Sequence, residues 1–179
     1  MLQREQTVLV IVDVQKKLAD LMYKKNALYH NLVLLIKGAK LLGLPIIWME
    51  QVPEKLGPTI IEVRNLLKDQ NPIKKSAFSC AENEEFLERI ELLNPHAVIL
   101  CGIETHVCIY QTAADLLKRD FHVEVVADAV SSRTEFNMQM GLDRIMLDGG
   151  LQTSVEMVLF ELQGRAVGDE FRALIKLIK

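Results

Sequence analysis

Apolar residues recur along this 179-residue chain in two alternating patterns. Three short runs, TVLVIV at 7–12, PIIWM at 45–49 and AVILC at 97–101, are apolar without the in-and-out alternation of a strand that has one wet face. Runs of that kind suit strands buried on both sides of a parallel sheet. Weaker strand signals at 73–76, at 122–127 (HVEVVA) and at 150–153 bring the set to six. Between them, apolar residues return at helical spacing near 26–42, 58–68, 83–93, 104–118, 135–147 and 154–163, with a last helix near 169–178. Strand and helix alternating from end to end predict an α/β fold of three layers, α/β/α, with a six-stranded, mainly parallel sheet at its centre.

The segment near 26–42 shows Leu32, Leu35, Ile36 and Ala39 on one face and Val33 and Leu34 on another. Such a helix is buried on two sides, either deep within the chain or against a second subunit. Breaks fall at Gly43-Leu44-Pro45, at Asn94-Pro95 and at Arg119-Asp120, and no repeat or linker interrupts the pattern. Residues 1–179 therefore read as one domain.

Composition narrows the function. Half the residues are hydrophobic and the net charge is −3, which excludes disordered and disulfide-scaffold classes. There is no basic stripe interleaved with aromatics, so nucleic acid is not expected as a partner. No apolar run reaches membrane-spanning length, and the N-terminal run meets Asp13 too soon for a signal peptide. Three cysteines without paired spacing suit the reducing cytoplasm. The histidines, His30, His96, His106 and His122, lack the spacing of a local metal site, so neither metal nor cofactor is expected.

In an open parallel sheet, sites form beyond the carboxyl ends of the strands. Asp13, Glu50, Lys75, Cys108 and Asp128 follow the first five strands in order. Cys108 lies in AVILCGIETHVCIYQT, where Gly102 permits a tight turn and a helix begins near Glu104. Free N–H groups and the helix dipole favour a thiolate there, whereas a cysteine serving as core filler is the alternative. Cys80 and Cys101 read as filler, and the sequence does not say whether Cys80 approaches Cys108. Asp13 is either a turn cap or a base for the thiol, and Gln15 either orients it or touches substrate. Of Lys74 and Lys75 only one can face the site, because neighbouring side chains on a strand point opposite ways. Trp48, Leu56, Phe78 and Tyr110 either wall a small-molecule pocket or fill the core, and Thr105 is a further pocket candidate. His106, two positions from Cys108, points about 200° away from it on a helix.

Asp13 in VDVQ, Lys75 in KSAFS and Cys108 in GIETHVC together resemble the Asp-Lys-Cys triad of the isochorismatase-like cysteine hydrolases, the family of nicotinamidases and N-carbamoylsarcosine amidases. The segments EQVPEKLGPT (50–59), ETHVCIYQTA (104–113) and VADAVSSR (126–133) are similar to the isochorismatase-domain branch. The resemblance implies the sheet order 3-2-1-4-5-6 and Lys75, not Lys74, as the site lysine. It implies a cis peptide between Ile103 and Glu104, with the backbone N–H groups of Glu104 and Cys108 as an oxyanion hole. It further implies hydrolysis of a small amide through a thioester on Cys108, and a homo-oligomer, dimer or larger. Trp48–Pro53 lacks the histidine that metal-binding nicotinamidases carry, and a cysteine nucleophile makes isochorismate a poor substrate. Asp128 is read as a cap or as a hydrogen-bonding partner of loops at the sheet edge, and Arg133 as its partner or a neighbouring subunit's. A thiol-modifying redox enzyme and a non-catalytic scaffold are the other classes compatible with these residues.

Overall fold

The computed structural model describes residues 1–179. Six strands, β1 (Thr7–Val12), β2 (Ile46–Gln51), β3 (Ile73–Lys75), β4 (Ala97–Ile103), β5 (His122–Ser131) and β6 (Leu151–Thr153), form one sheet in the order β3-β2-β1-β4-β5-β6. All five neighbouring pairs are parallel. The α-helices are α1 (Lys16–Ala19), α2 (Lys25–Leu41), α3 (Pro53–Leu56), α4 (Ile61–Arg64), α5 (Glu84–Leu93), α6 (Tyr110–Leu117), α7 (Glu135–Leu147), α8 (Val155–Gln163) and α9 (Gly168–Ile178). No helix is long and apolar enough to cross a membrane.

The strand period of two sorts the core into two layers. Leu9, Ile11, Trp48, Ile99 and Cys101 face one side, where they meet Leu32 and Leu35 of α2 and Leu159 of α8. Val10, Val12, Met49, Ile73 and Leu100 face the other, against Phe86 of α5, Leu116 of α6 and Ile145 of α7. Burying an aliphatic side chain fully stabilises by about 1.5–3 kcal/mol, so β1, with all six residues buried, is the spine of both layers. The broad apolar surface of α2 is taken up inside the chain, by β5, α8 and α9.

Several elements differ from the sequence expectation: the short helices α1 and α3 are not among those expected, and β2 and β4 each run two residues past their expected ends. The helix expected over 58–68 shrinks to α4, because residues 58–60 run extended to pair with 14–16: Lys16 N–H donates to Pro58 O at 3.2 Å and Ile60 N–H to Val14 O at 2.9 Å. The helix expected from 104 begins as a π-helical turn over Thr105–Ile109, and α6 proper starts at Tyr110. β5 outlasts its expected end at 127, because beyond a register shift Val130 and Ser131 pair with Gly102 and Ile103.

Gly102 sits inside β4 rather than in a turn. Its φ is +115°, and a Cβ built there would lie 2.1 Å from Val12 O. Only a residue without a side chain lets β4 approach β1 so closely. Gly102→Ala is expected to cost about 2–4 kcal/mol, from left-handed strain plus overpacking against a rigid backbone. Urea unfolding of the variant reads this directly, and an unchanged midpoint would contradict it.

Candidate active site

The carboxyl edge of the sheet brings Asp13, Lys75 and Cys108 together. Asp13 follows β1 with φ at +54°, a conformation that aspartate tolerates better than most residues, and its N–H donates to Met49 O at 3.2 Å. Its side chain is 1% exposed. Gln51 pairs with Lys75 between β2 and β3, and Lys75 shares the face of Ile73 and Met49. Lys74 points the other way, two-thirds exposed and 3.8 Å from Glu54.

The Lys75 ammonium is held by four oxygens: Asp13 Oδ2 at 2.6 Å, Gln51 Oε1 at 2.5 Å, Phe78 O at 3.1 Å and Ala77 O at 3.2 Å. Its three protons are thereby engaged. Burial acts to lower its pKa, but the negative charge of Asp13, reinforced by their hydrogen bond, outweighs burial and holds it above the ordinary value. Burial pushes the Asp13 carboxyl up, against the pull of Lys75. Asp13 Oδ1 is buried and has no hydrogen-bond partner, and the Cys108 thiol is near enough to this carboxylate for each to act on the other's titration.

The electrostatics correct one expectation. Cys108 is buried, and burial together with the Asp13 charge pushes its thiol far up, with Lys75 opposing only in part. The resting sulfur is therefore a neutral thiol beside an acceptor, rather than a preformed thiolate. Cys80 is close enough to feel the same charges; burial pushes it up to about 12, and its N–H donates at 2.9 Å to Thr112 Oγ1, one turn beyond Cys108. Cys101 lies on the opposite face, its sulfur 3.7 Å from Val10 O, and all three cysteines are free.

The turn carrying Cys108 is fixed from the β5–α7 side. The Ile103–Glu104 peptide is cis, and the Glu104 N–H donates to no protein group, whereas Val107 and Ile109 N–H donate back to Glu104 O. Glu104 Oε2 accepts from Arg133 N at 3.0 Å and from Arg133 Nε at 3.1 Å. Arg133 thus pairs with Glu104 and not with Asp128, whose Oδ1 caps α8 through Val155 N–H at 2.9 Å. His106 Nδ1 lies 2.9 Å from Ser132 Oγ. Beneath the turn, a Cβ on Gly141 of α7 would come within 2.7 Å of Thr105 C and His106 N, so α7 packs on bare backbone. Thr105 Oγ1 is buried without a partner.

Several pocket and site candidates have other tasks. Trp48 is in the far core layer, where its indole N–H donates to Thr59 Oγ1 at 2.8 Å. Glu50 accepts from the N–H and the hydroxyl of the same Thr59, each at 2.7 Å. Both face away from Cys108, because they sit one step out of phase with Met49 and Gln51. Gln15 is tied to backbone: its amide donates to Gln51 O and Gly57 O and accepts from Gln51 N–H, which leaves it no donor for substrate. Phe78 stands mostly in solvent and contributes its carbonyl to Lys75. Tyr110 stacks under Arg144 and accepts its Nη2 at 2.5 Å. Gln51, which the β2–β3 register places beside Lys75, and Ser132 and Gly141, which touch the Cys108 turn from beyond β5 and from α7, are supports that the sequence reading passed over. No group of three or more His, Cys, Asp or Glu is placed to hold a metal ion.

Residues 7–157 match the family model of the isochorismatase domain. The secreted isochorismatase effector Isc1 of Phytophthora sojae is 39% identical over 97% of this chain and 84% of its own length. Isochorismatase domain-containing protein 2 of Bos taurus is 34% identical over 97% and 83%. The structure of the MAR1 ribonuclease from Caenorhabditis elegans superposes with a TM-score of 0.92 at 31% identity, covering 99% of this chain and 91% of that one.

If the Asp13 charge holds the Cys108 thiol up, then Asp13→Asn leaves the sulfur facing Lys75 alone and lowers its pKa. Iodoacetamide labelling of Cys108, followed by peptide mapping against pH, is expected to reach its plateau at lower pH in the variant than in the parent. An unchanged or upward-shifted profile would contradict this charge assignment.

Proposed function

The chain belongs to the isochorismatase family, and from that membership and the site geometry we propose that it is a cysteine hydrolase acting on a small amide or related acyl compound. The observation that carries the proposal is the buried Lys75–Asp13 pair at 2.6 Å, whose unpartnered second carboxylate oxygen, Asp13 Oδ1, is left to serve the buried Cys108 thiol beside it. Nucleophile, base and an orienting charge then lie in one file.

In the proposed reaction, the Cys108 sulfur attacks the substrate carbonyl as its proton passes to Asp13. A raised thiol pKa suits this order, since the proton leaves only as the carbon–sulfur bond forms. The oxyanion is held by the backbone N–H groups of Glu104 and Cys108. Collapse of the tetrahedral intermediate breaks the carbon–nitrogen bond, and Asp13 returns the proton to the departing amine. The resulting thioester is attacked by water, whose proton Asp13 takes and then returns to the Cys108 sulfur as the acid leaves. Lys75 keeps the carboxylate ionised before attack and transfers no proton. These steps call for no metal or cofactor, and Thr105 lines the reaction turn.

The Caenorhabditis elegans neighbour is called a ribonuclease. In this chain the Lys75 ammonium is engaged by four oxygens and the Arg133 Nε by Glu104, so the buried cation of the site has no proton left for a phosphodiester. A small molecule is therefore the proposed partner. Three free thiols favour the reducing cytoplasm, although the Phytophthora relative is named as secreted. Exposed Phe136, Met140 and Leu147 on α7 support a homo-oligomer of single-domain chains.

Ammonia release from a panel of amides, carbamoyl compounds and imides tests the reading. Turnover of any responsive compound is expected to fall by on the order of 10²–10⁴ or more in Cys108→Ser and in Asp13→Asn. Full turnover in either folded variant would refute the mechanism. Exhaustive chelation is expected to leave the rate unchanged, and loss with rescue by zinc would overturn the metal-free route.

A further inference from the structure

A cleft of about 620 Å³ opens between α1, α2 and the α3–α4 segment. Two of its lining residues, Ile60 and Tyr29, pack into the core layer on the far side of the sheet from Cys108, so it is separate from the candidate active site. The ribbon that pairs residues 14–16 with 58–60 forms one wall. Its size falls within the range of about 300–1,000 Å³ usual for small-molecule sites.

The lining divides into an apolar wall and a basic rim. Leu56, Pro58, Ile60 and Ile61 form the wall beside the Tyr29 ring, and Ile61 is left half exposed. The Tyr29 hydroxyl is committed to Asp20, which also pairs with Lys25. Lys25 is therefore the ion-pair partner of Asp20, and Lys16 adds only a weaker charge interaction with it. Lys17 donates to Lys55 O at 2.8 Å, while Lys16 and Arg64 have no ion-pair partner, and Glu62 is the one carboxylate left in the lining. Three cations, Lys16, Lys17 and Arg64, thus face two carboxylates, Asp20 and Glu62, of which Asp20 is paired with Lys25, so the rim carries a net positive charge over an apolar wall.

We propose that this cleft is a second ligand site, for a small organic anion whose apolar body lies on the Leu56–Ile61 wall and whose carboxylate meets Lys16 and Arg64. A neutral analogue keeps the wall contacts and loses the charge-assisted bonds. A bare inorganic anion keeps the charges and loses the wall. The site selects for both features in one molecule.

The test uses the full chain with Cys108 first blocked by iodoacetamide, so that no turnover confuses binding. Titration with 4-phenylbutanoate and with 4-phenylbutanamide, followed by calorimetry or ligand-observed NMR, compares charged and neutral forms of one apolar body. The carboxylate is expected to bind at least about tenfold more tightly than the amide. The double variant Lys16→Gln, Arg64→Gln is expected to abolish that difference without moving the melting temperature. Should the variant fold poorly, the acid-to-amide ratio in the parent chain still decides. Equal binding of acid and amide, no binding of either at millimolar concentration, or displacement of the acid from unblocked protein on alkylating Cys108 would each overturn the proposal.

Discussion

The ion pair between Lys75 and Asp13 is the constraint on which the rest of the site depends. Both side chains are almost fully buried, and removing two charges from water costs several kcal/mol each unless the geometry repays it. Repayment comes from local architecture. β3 is only three residues long, yet it presents Lys75 inward beside Gln51, and the turn after it bends back so that the carbonyls of Ala77 and Phe78 reach the ammonium. Asp13 reaches its place through a left-handed residue at the end of the central strand. The same environment acts on Cys108, whose thiol is pushed up first by burial and then by the Asp13 charge.

The two faces of the sheet have separate work. One layer, with α5, α6 and α7, carries Lys75, Cys80 and Cys108, and is where the π-helical turn is clamped by Arg133, Ser132 and Gly141. The other layer, with α2, α8 and α9, holds Trp48, Cys101 and the Glu50–Thr59 bonds that fasten the 57–60 segment to the sheet. Period-two alternation explains why Cys101 faces the far layer, whereas Cys108 meets the carboxylate because the π-helical turn after β4 carries it there. Alternation also explains why Trp48, one step out of phase with Met49, cannot wall the pocket.

Much of this was legible from the chain. The continuous apolar runs announced buried parallel strands, and α7 spans the residues its periodicity marked, because both signals are local. Opposed facing of Lys74 and Lys75 likewise follows from one strand. What could not be read required partners distant in sequence. The extended 57–60 segment is set by pairing with 14–16, the role of Gln15 by backbone groups of residues 51 and 57, and the pairing of Arg133 by a glutamate 29 positions earlier. The thiol's charge state was misjudged because a helix end and a lysine are visible in sequence, whereas depth of burial and the adjacent carboxylate are not.

The central claim is that Asp13 and Lys75 are coupled and that each is tolerable in the interior only with the other. A double-mutant cycle on folding free energy tests it most directly, using Asp13→Asn, Lys75→Met and the double variant in urea unfolding. Each single change leaves a charge or its acceptors uncompensated and is predicted to destabilise by about 3–5 kcal/mol, with the double variant losing much less than their sum. Strict additivity, within about 0.5 kcal/mol, would show that the two residues act independently and would contradict this account.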